Sequence, residues 1–243
     1  MQYSTFAAID IGSYDVILEI FEISKKQGIR SVDKICHRME LGKDTYTLGK
    51  IRPEMEEELC RVLADFVRIM EGYRVDDYRA TASSAISEAS NSLYVLGKIH
   101  QLTGFSVTVL SNSEQRFLSY KALAAMEDNF NKIIEKGTAI LDLDGGSFQI
   151  SLFDKDALVT TQNIRMGSLR IRERLAGIQS ETEHYEEMVE ELIWNEVSSF
   201  KKMYLKDRKI ENIMLIGDVF TDSVYQNIEE KTTKIISREN FNT

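Results

Sequence analysis

Two short stretches carry residue types that can grip a phosphate. One is Asp10-Ile11-Gly12-Ser13-Tyr14, between apolar runs at 6–9 and 16–21. The other is Asp142-Leu143-Asp144-Gly145-Gly146-Ser147, between apolar runs at 139–141 and 148–153. Each reads as strand, acidic residue, glycine–serine turn, strand. Glycine in a turn admits positive φ and a close backbone approach to a ligand. Successive N–H groups of such a turn converge on an anion. Ser13 and Ser147 add hydroxyl donors, and Asp10 and Asp142 stand where a carboxylate holds a metal or a water. Taken alone, such a stretch reads first as an ordinary hairpin with an acidic turn. Two such units far apart in the chain point instead to a duplicated domain, with a phosphate-gripping turn in each half and the turns facing one cleft.

The elements that must position these turns follow from pattern and punctuation. Third strands are expected near 29–39 and 157–164. Residues 41–50 read as a loop, and Pro53 opens a helix at the position where its missing N–H costs nothing. Met55, Leu59, Val62, Leu63, Phe66, Ile69 and Met70 keep helical spacing up to Gly72. A strand at 78–82, a polar loop at 83–91, a helix capped by Gly104, a strand at 107–110 and a helix at 114–126 capped by Ser111 or Ser113 complete the first half. The second half repeats the three strands and adds a long amphipathic helix. Its stripe of Tyr185, Met188, Val189, Leu192, Ile193, Val197, Phe200 and Met203 is expected in the core. A strand at 212–216 enters Gly217-Asp218-Val219, followed by a helix to about Lys231 and a polar, weakly anchored tail. The expectation is an α/β protein with βββαβα twice, in domains 1–127 and 128–243.

Composition narrows the partners. A length of 243 residues suits one large or two small domains. A net charge of −9 argues against a broad nucleic-acid surface and leaves room for one phosphorylated ligand held locally. No apolar run approaches the roughly 18 residues of a membrane helix. The first five residues lack the basic start of a signal peptide, so a cytoplasmic location is expected. Cys36 and Cys60 lack C-x-x-C spacing and read as reduced thiols. His37, His100 and His184 share no metal-ligand spacing.

Several segments in order resemble the exopolyphosphatase / guanosine pentaphosphate phosphohydrolase (Ppx/GppA phosphatase) family of the actin-like ATPase superfamily. Residues 8–13 look like its first phosphate loop, and 84–91 like its Ser-Ala-x-Arg-Glu-Ala-x-Asn loop. Residues 103–115 look like its Thr-Gly … Ile-Ser-Gly-x-Glu-Glu stretch, and 142–149 like its Asp-Ile-Gly-Gly-Gly-Ser-Thr-Glu loop. Residues 166–170 look like its Leu-Gly-x-x-Arg turn. The resemblance implies two ribonuclease H-like domains with a cleft between them, the second reading as truncated at its C-terminus. It implies attack of water on a terminal phosphoryl group, with Mg²⁺ held by Asp10 and Asp142. The phosphate would be bound by Gly12, Ser13, Tyr14, Gly145, Gly146, Ser147 and Ser87. The implied ligand is polyphosphate or a guanosine polyphosphate, with no membrane partner and a homodimer as one assembly.

The departures from the pattern bear on catalysis. The family's catalytic Glu falls on Gln115, with Glu114 one position before it. The Glu that closes the second loop falls on Gln149. Its middle glycine is Asp144, its Arg is Ser87, and the Asn after the first Gly-Ser is Tyr14. Glutamine cannot act as a carboxylate base, and losing a general base costs about 10²–10⁴ in rate. Three functions remain open on the sequence: a weakened phosphohydrolase, a silent relative that senses a phosphorylated ligand, and an interaction protein that keeps only the fold.

Overall fold

The computed structural model describes residues 3–127, 129–179, 183–205, 208–217 and 234–237. They fall into two compact units, Met1–Gln115 and Arg116–Thr243. Each unit is built on a five-stranded sheet.

In the first unit, β1 (Ser4–Ile11) pairs antiparallel with β2 (Asp15–Ser24), which pairs antiparallel with the edge strand β3 (Gly28–Arg38). On its other side β1 pairs parallel with β4 (Asp77–Ala82), and β4 pairs parallel with β5 (Val107–Val109). The order is β3-β2-β1-β4-β5. Alternating Ala7, Ile9 and Ile11 of β1 and Val16, Leu18 and Ile20 of β2 are buried. They pack in one core with Leu59, Leu63 and Phe66 of α2 (Pro53–Tyr73) and Val95 and Ile99 of α4 (Ser92–Thr103). Pro53 stands in the first turn of α2 as expected. The helix runs one residue past Gly72 and is closed by Arg74 in the left-handed region.

Two segments expected to be loops are helical. Residues 41–48 form α1 (Leu41–Leu48). Its Asp44 is buried, accepts from the Arg52 backbone N–H at 2.9 Å and pairs with the Arg52 guanidinium at 2.8 Å. Thr45 donates to the Ala85 carbonyl at 2.6 Å. These tertiary partners make a helix of a stretch whose glycines and polar residues read as loop. Residues 84–87 form the short helix α3 (Ser84–Ser87).

A single helix, α5 (Asn112–Met126), runs across the division between the units. In the second unit, after α6 (Phe130–Ile134), β6 (Thr138–Leu143) pairs antiparallel with β7 (Phe148–Asp154), and β7 with β8 (Ala157–Ile164). β6 also pairs parallel with β9 (Asn212–Ile216). One strand differs from the first unit. β10 (Lys234–Ser237) pairs antiparallel with β9, where β5 runs parallel to β4. The tail expected to be loosely held thus supplies a strand to the sheet. The rest of the expected 217–231 loop and helix lies outside the described residues.

Between β8 and β9 lie α7 (Ser168–Gln179) and α8 (Tyr185–Tyr204). The α8 stripe is core only in part. Phe200 is its one buried residue, packed with Ile150, Leu152 and Ile164 and flanked by Val197, Tyr204 and Leu205. Ile193, Trp194 and Met203 are exposed. No helix among the described residues is long and apolar enough to cross a membrane.

Candidate functional site

In each sheet the glycine turn leaves the carboxyl end of the central strand, beside the strand that runs parallel to it. Open α/β sheets bind ligands at that end. The two turns are described separately, each within its own unit.

The β1–β2 turn is closed on itself. The Gly12 N–H donates to the Asp15 carbonyl at 2.9 Å, and a Cβ on Gly12 would lie 2.9 Å from that oxygen. Gly12 keeps to negative-φ or extended backbone, so the close approach, not positive φ, is what requires glycine here. The Ser13 hydroxyl is buried and lies 2.6 Å from the Tyr46 hydroxyl and 3.3 Å from that of Ser84. Tyr46 and Ser84 are 2.8 Å apart, so three hydroxyls share one network. The Ser83 N–H donates to Ile11 O at 3.2 Å, fixing α3 beside the turn. Arg38 lies over the Tyr14 ring at 4.6 Å, a cation–π contact. Asp10 is exposed, with Thr81 Oγ1 3.4 Å from its Oδ1. Ser87 is exposed at the far end of α3.

In the β6–β7 turn a side chain occupies the backbone N–H groups. The Gly146 and Ser147 N–H groups both donate to Asp144 Oδ1, each at 2.7 Å. A charged acceptor on two N–H donors at that distance is a strong arrangement. The α7 entrance locks the turn from outside. Ser168 N–H donates to Asp144 O, Arg170 N–H to Gly145 O, and Arg170 Nε to Gly146 O at 2.9 Å. Gly167 packs so closely that a Cβ there would stand 2.4 Å from Gly145 C and Ser147 N. The Gly-x-x-Arg spacing of residues 167–170 therefore has a structural cause: glycine for contact, arginine for the loop carbonyl.

Strand register brings three polar residues together below this turn. Asp142, Gln149 and Asn163 are direct cross-strand neighbours on β6, β7 and β8, and so share one face of the sheet. Asn163 Nδ2 donates to the Ser147 hydroxyl at 3.3 Å. Gln149 is 2% exposed, and among the described residues neither its Oε1 nor the buried Oγ of Ser168 meets a hydrogen-bond partner. A buried unmet acceptor is costly, so a water or ligand donor is expected there.

Glu114 and Gln115 lie in the first turn of α5. Glu114 accepts from the Ser111 N–H at 2.9 Å and the Ser111 hydroxyl at 2.7 Å, while the Glu114 N–H returns to Ser111 Oγ. This is a capping box. The bonds from Ser111 hold the Glu114 carboxyl below its ordinary range, with Arg79 adding a smaller pull. Glu114 is thereby fixed as an anion and a poor proton acceptor. Half-buried Gln115 donates its backbone N–H to Ser111 O.

The structure thus groups Gly12, Ser13 and Tyr14 in one turn, and Asp142, Gly145, Gly146, Ser147 and Gln149 at one hairpin end. It adds Tyr46, Ser84, Asn163, Ser168 and Arg170. Ser84 and Arg170 lie in recognisable motifs. Tyr46 sits in a stretch that reads as loop, and Asn163 is found only through strand register.

A profile of the Ppx/GppA phosphatase family matches residues 19–243, beginning beyond the β1–β2 turn. The bifunctional 3-dehydroquinate synthase/phosphatase of Fusobacterium nucleatum is 22% identical over 238 residues, covering 93% of this chain and 34% of that protein. Exopolyphosphatase 1 of Mycobacterium leprae is 25% identical over 144 residues, 59% of this chain and 41% of the relative. The structure of an exopolyphosphatase from Cytophaga hutchinsonii matches with a TM-score of 0.74 at 20% identity, over 88% of this chain and 66% of that one. The chain spans about a third to two fifths of the length of the first two relatives.

Proposed function

The chain belongs to the Ppx/GppA phosphatase family, and from that premise we propose that it is a low-turnover, exopolyphosphatase-like protein acting on the terminal phosphoryl group of polyphosphate or a guanosine polyphosphate. In the reaction water attacks the terminal phosphorus and gives up a proton, the anhydride P–O bond breaks with the shortened chain as leaving group, and the transferred phosphoryl group is released as orthophosphate. The transition state is loose, so rate comes from positioning and charge stabilisation. The backbone N–H groups of each glycine turn, with Ser87, would hold phosphate oxygens. Asp10 and Asp142 each offer one carboxylate at a strand end. That suits Mg²⁺, which takes one or two carboxylates together with substrate oxygens. When bound, the ion neutralises charge on the phosphates.

The observation that carries the low-turnover reading is Asp144. Its carboxylate already holds the two N–H groups that a phosphate oxygen would need. Gln115 and Gln149 add to it, since neither amide can take the proton of the attacking water. A second reading, a silent relative that binds without hydrolysis, is favoured by Gln149: its buried acceptor can orient a water or ligand donor but accepts no proton.

Phosphate release from polyphosphate and guanosine pentaphosphate with Mg²⁺ tests the reading. Wild type should turn over slowly, and Gln115→Glu should raise the rate about 10²-fold if the missing base limits it. Adding Gln149→Glu and Ser87→Arg should raise it further and non-additively. Brisk wild-type turnover unchanged in Gln115→Ala would overturn the proposal. No turnover in any variant, with a ligand-induced rise in melting temperature, would select the silent binder.

A further inference from the structure

The β1–β2 turn carries a cation that the loop motifs do not reveal. Arg38, the last residue of β3, lies directly opposite Asp15 of β2. Its guanidinium carbon stands 4.6 Å from the centre of the Tyr14 ring. The corner after β3 is fastened to the same turn. Met39 and Glu40 both donate a backbone N–H to Tyr14 O, at 2.9 and 2.8 Å, and the Gly42 N–H donates to Ser13 O at 2.9 Å. Glu40 has a left-handed φ of 54°, a conformation that residues other than glycine seldom adopt. Strained backbone of this kind persists where its surroundings over-determine it, and it gathers at ligand sites. The three bonds fix where Arg38 leaves the sheet, and the Tyr14 ring fixes where its guanidinium ends.

Charge gives this placement its meaning. The turn and the corner, residues 10–15 and 38–42, hold Asp10, Asp15 and Glu40 against Arg38. A phosphate entering there meets three carboxylates, and like charges repel it unless a cation stands among them. The Glu40 carboxylate lies 3.6 Å from an Arg38 Nη, an ion pair longer than a hydrogen bond, and the Arg38 side chain is 53% exposed. Stacking engages the flat face of a guanidinium. Its N–H donors point outward in the plane and match the paired oxygens of a phosphate.

We propose that Arg38, carried on Tyr14, is the anion-binding cation of the β1–β2 turn and grips a pair of phosphoryl oxygens. The proposal rests on the reading that this turn holds a phosphate. It also joins two departures from the resembled pattern. An arginine is missing at Ser87 and a ring is added at Tyr14, so the positive charge stands at the end of β3, on its own platform, rather than on α3.

Titration calorimetry of the full chain with tripolyphosphate, with Mg²⁺ in excess, tests it alongside melting curves. Arg38→Gln should weaken binding about ten- to hundredfold, the worth of a hydrogen bond to a charged group. What binding remains should depend less on salt, and the melting temperature should hardly move. Tyr14→Leu, which removes the ring, should weaken binding about three- to tenfold, and Tyr14→Phe should lose less. In the Arg38→Gln background Tyr14→Leu should cost nothing further, because the ring acts through the guanidinium. Ser87→Arg should recover most of the affinity that Arg38→Gln loses. Arg38→Gln binding within about twofold of wild type would overturn the inference and leave the phosphate reading standing. Additive losses from Arg38→Gln and Tyr14→Leu would overturn the role of the ring, and no recovery with Ser87→Arg would overturn the exchange of positions. No binding of tripolyphosphate by wild type or by Asp144→Gly would overturn the phosphate reading and this inference together.

Discussion

Replacing Asp144 by glycine should open the β6–β7 turn to anions. The wild-type carboxylate accepts from Gly146 and Ser147 at 2.7 Å each. Hydrogen bonds to a charged group are worth about 1.5–3 kcal/mol each, so displacing the carboxylate costs a phosphate about 3–6 kcal/mol. At about 1.4 kcal/mol per decade, this corresponds to roughly 10²–10⁴ in affinity. Asp144→Gly removes that competitor and should bind tripolyphosphate at least about 10²-fold more tightly than wild type. Asp144→Asn keeps an oxygen on the same N–H groups without the charge. Its bonds fall to about 0.5–1.5 kcal/mol each, so its affinity should lie between the other two. The ligand-free glycine variant should lose the same two bonds, about 3–6 kcal/mol of stability. Saturating ligand should return about 2.7 kcal/mol at one hundred times Kd. Titration calorimetry with inorganic phosphate and tripolyphosphate, paired with melting curves, measures both. A folded Asp144→Gly protein that binds no more tightly than wild type would refute the reasoning and remove this turn from the site.

Gly167→Ala should destabilise the protein by about 1–3 kcal/mol or more, because the added Cβ would meet the backbone of Gly145 and Ser147 at 2.4 Å; chemical denaturation measures the loss. Glu114 should make the start of α5 pH-sensitive. Its folded-state pKa is lowered by the Ser111 bonds, so its contribution is complete above the ordinary carboxylate range and is lost as pH falls through the lowered value. The protection factor of the Ser111 amide, its exchange rate relative to the intrinsic rate at each pH, should therefore fall in acid, and Glu114→Gln should flatten that profile.

Much of the fold could be read because its signals are local. The β1–β2 and β6–β7 hairpins, Pro53 at the start of α2 and Gly104 at the end of α4 each rest on a few adjacent residues. What could not be read depends on distant partners. Residues 41–48 are helical because Asp44 meets Arg52 and Thr45 meets Ala85. The α8 stripe has core periodicity, yet among the described residues its buried contact with the sheet is at Phe200. Periodicity shows that a face is apolar and does not say what lies against it. The site divides in the same way. Its loops were visible as motifs, whereas the Asp142–Gln149–Asn163 row exists only once β6, β7 and β8 are in register.

Register also joins two of the departures from the resembled pattern into one change. The pattern has glycine at position 144 and a carboxylate at 149; this chain has a carboxylate at 144 and an amide at 149. Position 149 is 2% exposed and directly opposite Asp142. A second anion there is costly unless a cation or a positive ligand group stands between the two. The neutral amide removes that demand. At 144 a carboxylate is held by two N–H donors of its own turn and needs no cation. Moving one negative charge from a buried strand position to the turn gives a hairpin with one buried charge fewer, whose turn N–H groups are met without phosphate. A hairpin arranged for catalysis is left unsatisfied until its ligands bind. This difference ties Gln149 to Asp144. Restoring Gln149→Glu alone should therefore strengthen the phosphate complex less than restoring it together with Asp144→Gly, while the ligand-free double variant should be the less stable of the two, because its Gly146 and Ser147 N–H groups lose their acceptor.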